Sequence, residues 1–202
     1  MKRILAASAC LCATVAAQTA FADLRIMGNG GYLKLKSEGV GSWKPEYTGF
    51  DGALRAQYDV FSPIPGLSLF AGVGLGQMLT TYKETYLGIA YDVTYQETYI
   101  PAEVGVQFSL IPMLRLQAAA QYQHGLNGET GGTVASVDLA KHSMDSSSRV
   151  LLTGRALLTV APFISAGIYG DVLASGKLKI EHSDSGNWAS GFEGGAVVAL
   201  SF

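Results

Sequence analysis

Along almost its whole length the chain alternates apolar and polar residues with a period of two. From Phe50 to Val60, the residues Phe50, Gly52, Leu54, Ala56, Tyr58 and Val60 share one side, and Asp51, Ala53, Arg55, Gln57 and Asp59 share the other. A period of two sends successive side chains to opposite faces of a strand, whereas a helix would repeat every 3.6 residues. The same rule returns in Leu67–Leu75, Ile100–Phe108, Leu114–Tyr122, Val150–Val160, Ile164–Val172 and Trp188–Phe202. A less regular segment near Leu24–Lys36 brings the number of strands to eight, and the apolar side of the seven regular ones carries no charge.

The connections alternate as well. Three are short and carry proline: Ser62-Pro63-Ile64-Pro65-Gly66, Ser109-Leu110-Ile111-Pro112 and Ala161-Pro162. Between them fall longer polar stretches at roughly 37–49, 80–97, 125–148 and 174–187. Short periplasmic turns and long extracellular loops are the pattern of an outer-membrane barrel. Alternation alone also fits a soluble barrel that turns its apolar face inward around a ligand. Composition separates the two. Only 15% of the chain is charged, against about 25% in ordinary soluble domains. The polar face is thin, made mostly of Gly, Ala, Ser, Thr and Gln, and would make a poor soluble surface.

With the first strand running outward, Phe50, Tyr122 and Trp188 fall near the outer rim, and Tyr58, Phe108 and Phe202 near the periplasmic rim. Those are two girdles at headgroup level. Unpaired backbone groups cost several kcal/mol each in lipid, so such a sheet must close on itself. The expected fold is all-β: a closed, up-and-down, antiparallel, eight-stranded transmembrane β-barrel with both mature termini in the periplasm.

Met1–Ala22 reads as a secretory signal peptide: Lys2 and Arg3, the apolar stretch Ile4–Ala17, then Ala20-Phe21-Ala22 before Asp23. The expected domains are 1–22, signal peptide, and 23–202, barrel. Both cysteines, Cys10 and Cys12, fall in the leader, so the mature chain needs no disulfide. Without Lys2 and Arg3 the balance is 12 basic against 16 acidic residues. That excludes the basic stripe of a nucleic-acid binder.

In this layout the chain resembles the small eight-stranded bacterial outer-membrane proteins of the OmpA-barrel and OmpX type. The most specific element is the end of the chain, Ala196-Val197-Val198-Ala199-Leu200-Ser201-Phe202. The resemblance implies that Val198, Leu200 and Phe202 are read by the barrel-insertion machinery. It also implies outer-membrane lipid and lipopolysaccharide as surroundings.

The inward face holds Asp51, Arg55, Asp59, Glu103, Arg115, Arg155, Asp171 and Glu193. Buried charges of both signs at one height should pair. The expectation is a lumen network of Arg55, Glu103, Arg115, Arg155 and Glu193 that plugs the barrel, since eight strands leave room for little but side chains. Glycines at 72, 74, 76, 191 and 195 leave local space and keep a narrow pore open as the alternative.

A lipid A-modifying enzyme is a weaker alternative. His124, His142 and His182 lie in or beside the outer loops, but no nucleophile motif accompanies them. His124, Glu129, Asp138 and His142 match no familiar metal spacing. No cofactor and no catalysis are expected. In the second loop, Tyr82-Lys83-Glu84-Thr85-Tyr86 and Tyr95-Gln96-Glu97-Thr98-Tyr99 nearly repeat. They read as strands prolonged past the rim, or as an arm in which Tyr82, Tyr86, Tyr95 and Tyr99 contact an extracellular glycan, lipopolysaccharide or protein.

Overall fold

An alternating segment becomes a strand only when its backbone groups find partners, and here every strand finds two. A computed structural model describes residues 24–38, 44–86, 88–111, 113–180 and 186–202. The expected leader, 1–22, and His182 lie outside the described residues. The strands are β1 (Leu24–Ser37), β2 (Glu46–Ile64), β3 (Leu67–Tyr86), β4 (Ile89–Ile111), β5 (Leu114–Val134), β6 (Val137–Ala161), β7 (Ile164–Ile180) and β8 (Gly186–Ser201). Each pairs antiparallel with the next, and β8 pairs with β1 from Arg25↔Ser201 to Ser37↔Trp188, closing the barrel. Closure removes both free edges of the sheet.

Alternation then sorts the two faces. Leu54, Leu75, Val104, Leu152, Ile168 and Val172 point outward and are more than half exposed, whereas Arg55, Gln57, Glu103, Thr153 and Arg155 are buried in the lumen. On β3 the outward face from Leu69 to Leu79, apolar except for Gln77, spans about ten residues. At about 3.3 Å per residue and a tilt near 40°, that is about 25 Å, the height of an outer-membrane apolar band.

Two of the long polar connections expected from the sequence, 80–97 and 125–148, are mostly strand, whereas the middles of the other two, residues 39–43 and 181–185, lie outside the described residues. The β3–β4 ladder runs on to Tyr86↔Ile89 and the β5–β6 ladder to Val134↔Val137, with β4 and β5 paired up to Tyr91↔Val134. The flanking ladders stop lower, β2–β3 at Thr48↔Thr81 and β6–β7 at Met144↔Ile180. Strands β3 to β6 therefore rise above the closed wall as a four-stranded sheet. Thr, Tyr and Val fit a pleated ladder whether or not one face is apolar, so loss of the apolar pattern marks the end of the belt and not the end of the strand.

At the β5–β6 tip, Ala135 and Ser136 both take positive φ, 52° and 67°. That is the backbone of a two-residue hairpin turn made without the usual Asn or Gly. At the opposite end the β2–β3 and β6–β7 connections turn tightly, Gly66 supplying φ +83° after Pro65 and Phe163 φ 67° after Pro162.

Candidate functional site

The lumen is layered. Nearest the short turns, Arg25 of β1 forms an ion pair with Asp59 of β2, donates to Gln107 at 2.7 Å and lies over the Phe70 ring at 5.8 Å. Arg115 donates to Ser201 at 3.4 Å. Gln117 links this layer to the next, donating to Gln107 at 3.0 Å and Gln57 at 3.3 Å. At mid-height Arg155 pairs with Glu103 at 2.6 Å, both fully buried, and Gln57 donates to the same carboxylate at 2.5 Å. Arg55 donates to Asn29, and Tyr169 to Glu193. Higher still, Arg149 pairs with Glu97 at 3.3 Å, lies 5.1 Å from the Tyr99 ring centroid, and Ser147 donates to Glu97. Tyr99 in turn donates to Asp51.

An apolar plug covers the charges at the end away from the short turns. Leu33, Leu35, Met78, Tyr95, Tyr99, Leu151, Leu173 and Trp188 form one buried cluster with Tyr47 packed against it. The Trp188 ring meets Tyr47 at 5.5 Å, edge to face, and Tyr95 at 6.0 Å.

The inward glycines do not open a channel; their neighbours fill the space. A Cβ on Gly76 would run into the Tyr99 ring, one on Gly74 would meet Arg55 Cγ at 2.9 Å, and one on Gly72 would meet Gln57 Cγ and Glu103 Cγ at 3.1 Å. Leu35 occupies the space at Gly191, and the backbone of Gly30 and Gly31 that at Gly195. Small residues on β3 thus accept the large side chains of β2 and β4.

Three expectations need correction. The predicted lumen network is not one cluster. Of Arg55, Glu103, Arg115, Arg155 and Glu193, only Glu103 and Arg155 pair directly, and the others take the neutral partners Asn29, Ser201 and Tyr169. Sequence reasoning missed Arg25, Glu97 and Arg149. Arg149 and Glu97 were within reach, because each lies two residues beyond an inward position and the alternation simply continues.

Trp188 is not a girdle residue. It is 5% exposed and faces the lumen. The β1–β8 register shifts between Lys36 and Ser37, which pair with Ser190 and Trp188. The extra residue reverses the in–out parity of everything above it. Phe50, Tyr58, Phe108, Tyr122 and Phe202 do point outward, joined by Tyr32, Phe61, Phe163 and Phe192. Val198 and Leu200 are outward as well.

Tyr82, Tyr95 and Tyr99 are 3%, 2% and 0% exposed; Tyr95 and Tyr99 belong to the plug and Tyr82 packs on Tyr47 at 5.6 Å, so none of the three is free for a contact arm. They sit at inward positions of β3 and β4, whose parity carries past the rim unbroken. The Tyr86 side chain is outside the described set.

At the rim, His124 stacks on Tyr122 at 6.4 Å, on the outside of β5. Glu129 pairs with Lys141 at 3.6 Å, and no group of three metal-ligating side chains stands together among the described residues. On β1, Lys34 and Lys36 reach the Glu46 carboxylate at 2.5 and 3.3 Å. The hydrogen bond from Lys34 holds that carboxyl below its ordinary pKa.

No protein-family model matches the sequence, and no curated protein matches it. Among solved structures, Neisserial surface protein A superposes with a TM-score of 0.51 at 15% identity, over 89% of this chain and 97% of that one. The chain has the fold of a small outer-membrane β-barrel. The outer membrane protease OmpT of Escherichia coli (TM-score 0.42, 11% identity, 90% of this chain and 96% of that one) is also similar. So is Ail, the attachment invasion locus protein of Yersinia pestis (TM-score 0.40, 12% identity, 89% and 99%). At these identities the likeness is one of fold.

Proposed function

We propose that this barrel is an integral outer-membrane protein with a filled, non-conducting lumen, that it acts without catalysis, and that its work is done at its outer face. On this reading the termini and short turns are periplasmic, and the β3–β6 sheet stands outside the cell as the surface offered to extracellular ligands. Val198, Leu200 and Phe202 close the last strand as the signal for the insertion machinery. The observation that carries the reading is the occupied lumen. Arg155–Glu103 and Arg149–Glu97 cross it, side chains fill the room left by the β3 glycines, and Trp188 seals it between Tyr47 and Tyr95. Eight strands enclose an interior just wide enough for such side chains.

The test is planar-bilayer recording of the purified, heat-modifiable protein. The expected result is no discrete conductance steps, while Trp188→Ala with Tyr95→Ala admits transient ones. Steady single-channel steps from the wild type would refute the sealed lumen and revive the pore.

A further inference from the structure

Two lysines on the outside of β1 belong neither to the lumen nor to the tall hairpins. Lys34 and Lys36 lie two residues apart on one face, 32% and 51% exposed. Directly below them Tyr32 meets Phe50 edge to face at 6.3 Å, and Phe192 pairs with Lys34 across the β1–β8 ladder while half exposed. Outward rings of this kind sit where acyl chains give way to headgroups. One strand repeat, about 6.6 Å, lifts the ammonium groups into the headgroup layer.

Glu46, paired with Lys36 across the β1–β2 ladder, contacts both ammoniums at 2.5 and 3.3 Å. Each ammonium carries three donors, so the shared carboxylate leaves donors free on both. Glu46 is the one carboxylate in contact with the two cations, since Glu38, next along the chain, accepts from Asn187 at 2.8 Å.

We propose that Lys34 and Lys36 form a binding site for the phosphate of an anionic outer-leaflet lipid. Glu46 competes with that phosphate for the two ammoniums, and Tyr32, Phe50 and Phe192 lie against the acyl chains. The site rests on the membrane placement proposed above. Its logic differs in sign from a purely structural role. If the lysines served only to tie β1 to Glu46, removing either partner would act alike. If they bind phosphate, removing the lysines weakens the lipid contact and removing Glu46 strengthens it.

The experiment reconstitutes the folded barrel in phosphatidylcholine nanodiscs doped with lipid A and counts the lipid A retained after exchange against undoped nanodiscs. Lys34→Gln with Lys36→Gln is expected to lower retention about 5-fold. Glu46→Gln should raise it, Lys34→Arg with Lys36→Arg should preserve it, and dephosphorylated lipid A should lose the dependence on the lysines. Equal falls in the lysine and Glu46 variants, unchanged retention in the double glutamine variant, or displacement by inorganic phosphate alone would each overturn the lipid site. A variant that fails to shift on a heat-modifiability gel is replaced by the arginine pair, whose loss of retention would overturn it equally. Conductance and heat-modifiability test the membrane barrel separately, so a sealed, folded barrel indifferent to Lys34 and Lys36 refutes the site alone.

Discussion

The same four strands behave differently at two heights. In the belt, β6 buries Leu151, Thr153 and Arg155 to within 5% of full burial while Leu152 and Leu158 are 58% and 47% exposed. Above the rim, Tyr91 to Thr94 on β4 are all half-buried, although the ladder to β5 continues through Tyr91↔Val134. Backbone hydrogen bonds hold both regions. Only the closed wall has an inside, so only there does each side chain have a single acceptable neighbour.

Substitutions should expose that difference. The largest effect is expected from Arg155→Ala, which strands Glu103 in the lumen without its cation and should cost about 3–5 kcal/mol. Urea unfolding in detergent micelles would read the loss, and Arg155→Met with Glu103→Gln should recover most of it. If the single and double variants were equally unstable, the pairing would not be the cause.

Next comes a matched pair of glycines. Gly76→Val drives a side chain into the Tyr99 ring and should cost about 1–3 kcal/mol. Gly131→Val in the tall sheet meets only Lys141 at 3.5 Å and should be neutral or slightly stabilising. Similar losses at both sites would mean that the tall sheet is as tightly specified as the belt.

A smaller change is expected at the β5–β6 tip. Ala135→Asn with Ser136→Gly relieves two positive-φ residues and should add about 1 kcal/mol of local stability. Amide exchange should slow near Val134 and Val137 without slowing in the belt. Protection gained throughout the barrel would show that the two regions unfold as one unit.

The smallest effect is electrostatic. The Glu46 carboxyl is depressed by its hydrogen bond from Lys34, so its contribution is complete above the ordinary carboxylate range and lost as pH falls through the depressed value. Wild type and Glu46→Gln should differ slightly at neutral pH and converge in acid. The pair is exposed enough for salt to shrink the difference further.

Most of the belt was legible because strand parity is a local property: Leu54 and Arg55 announce opposite faces wherever the strand goes. Arg25 was not legible, since β1 alternates glycine, asparagine and methionine, and hydropathy barely separates them. Between residues 80 and 97 the Tyr82–Tyr86 and Tyr95–Tyr99 near-repeat suggests strands prolonged past the rim, and the facing strand, which supplies the hydrogen-bond partners, decides for that reading.

By itself the sequence determined eight alternating strands, the uncharged face of the regular ones and the positions of the tight turns, because each depends on residues adjacent in the chain. The tertiary structure decided the rest. Arg25 finds Asp59 34 residues away and Arg155 finds Glu103 52 away, partners chosen by the stagger of a closed barrel. Trp188 turns inward because the β1–β8 seam absorbs one extra residue. Stagger and bulge belong to pairs of strands, and neither is written in any one of them.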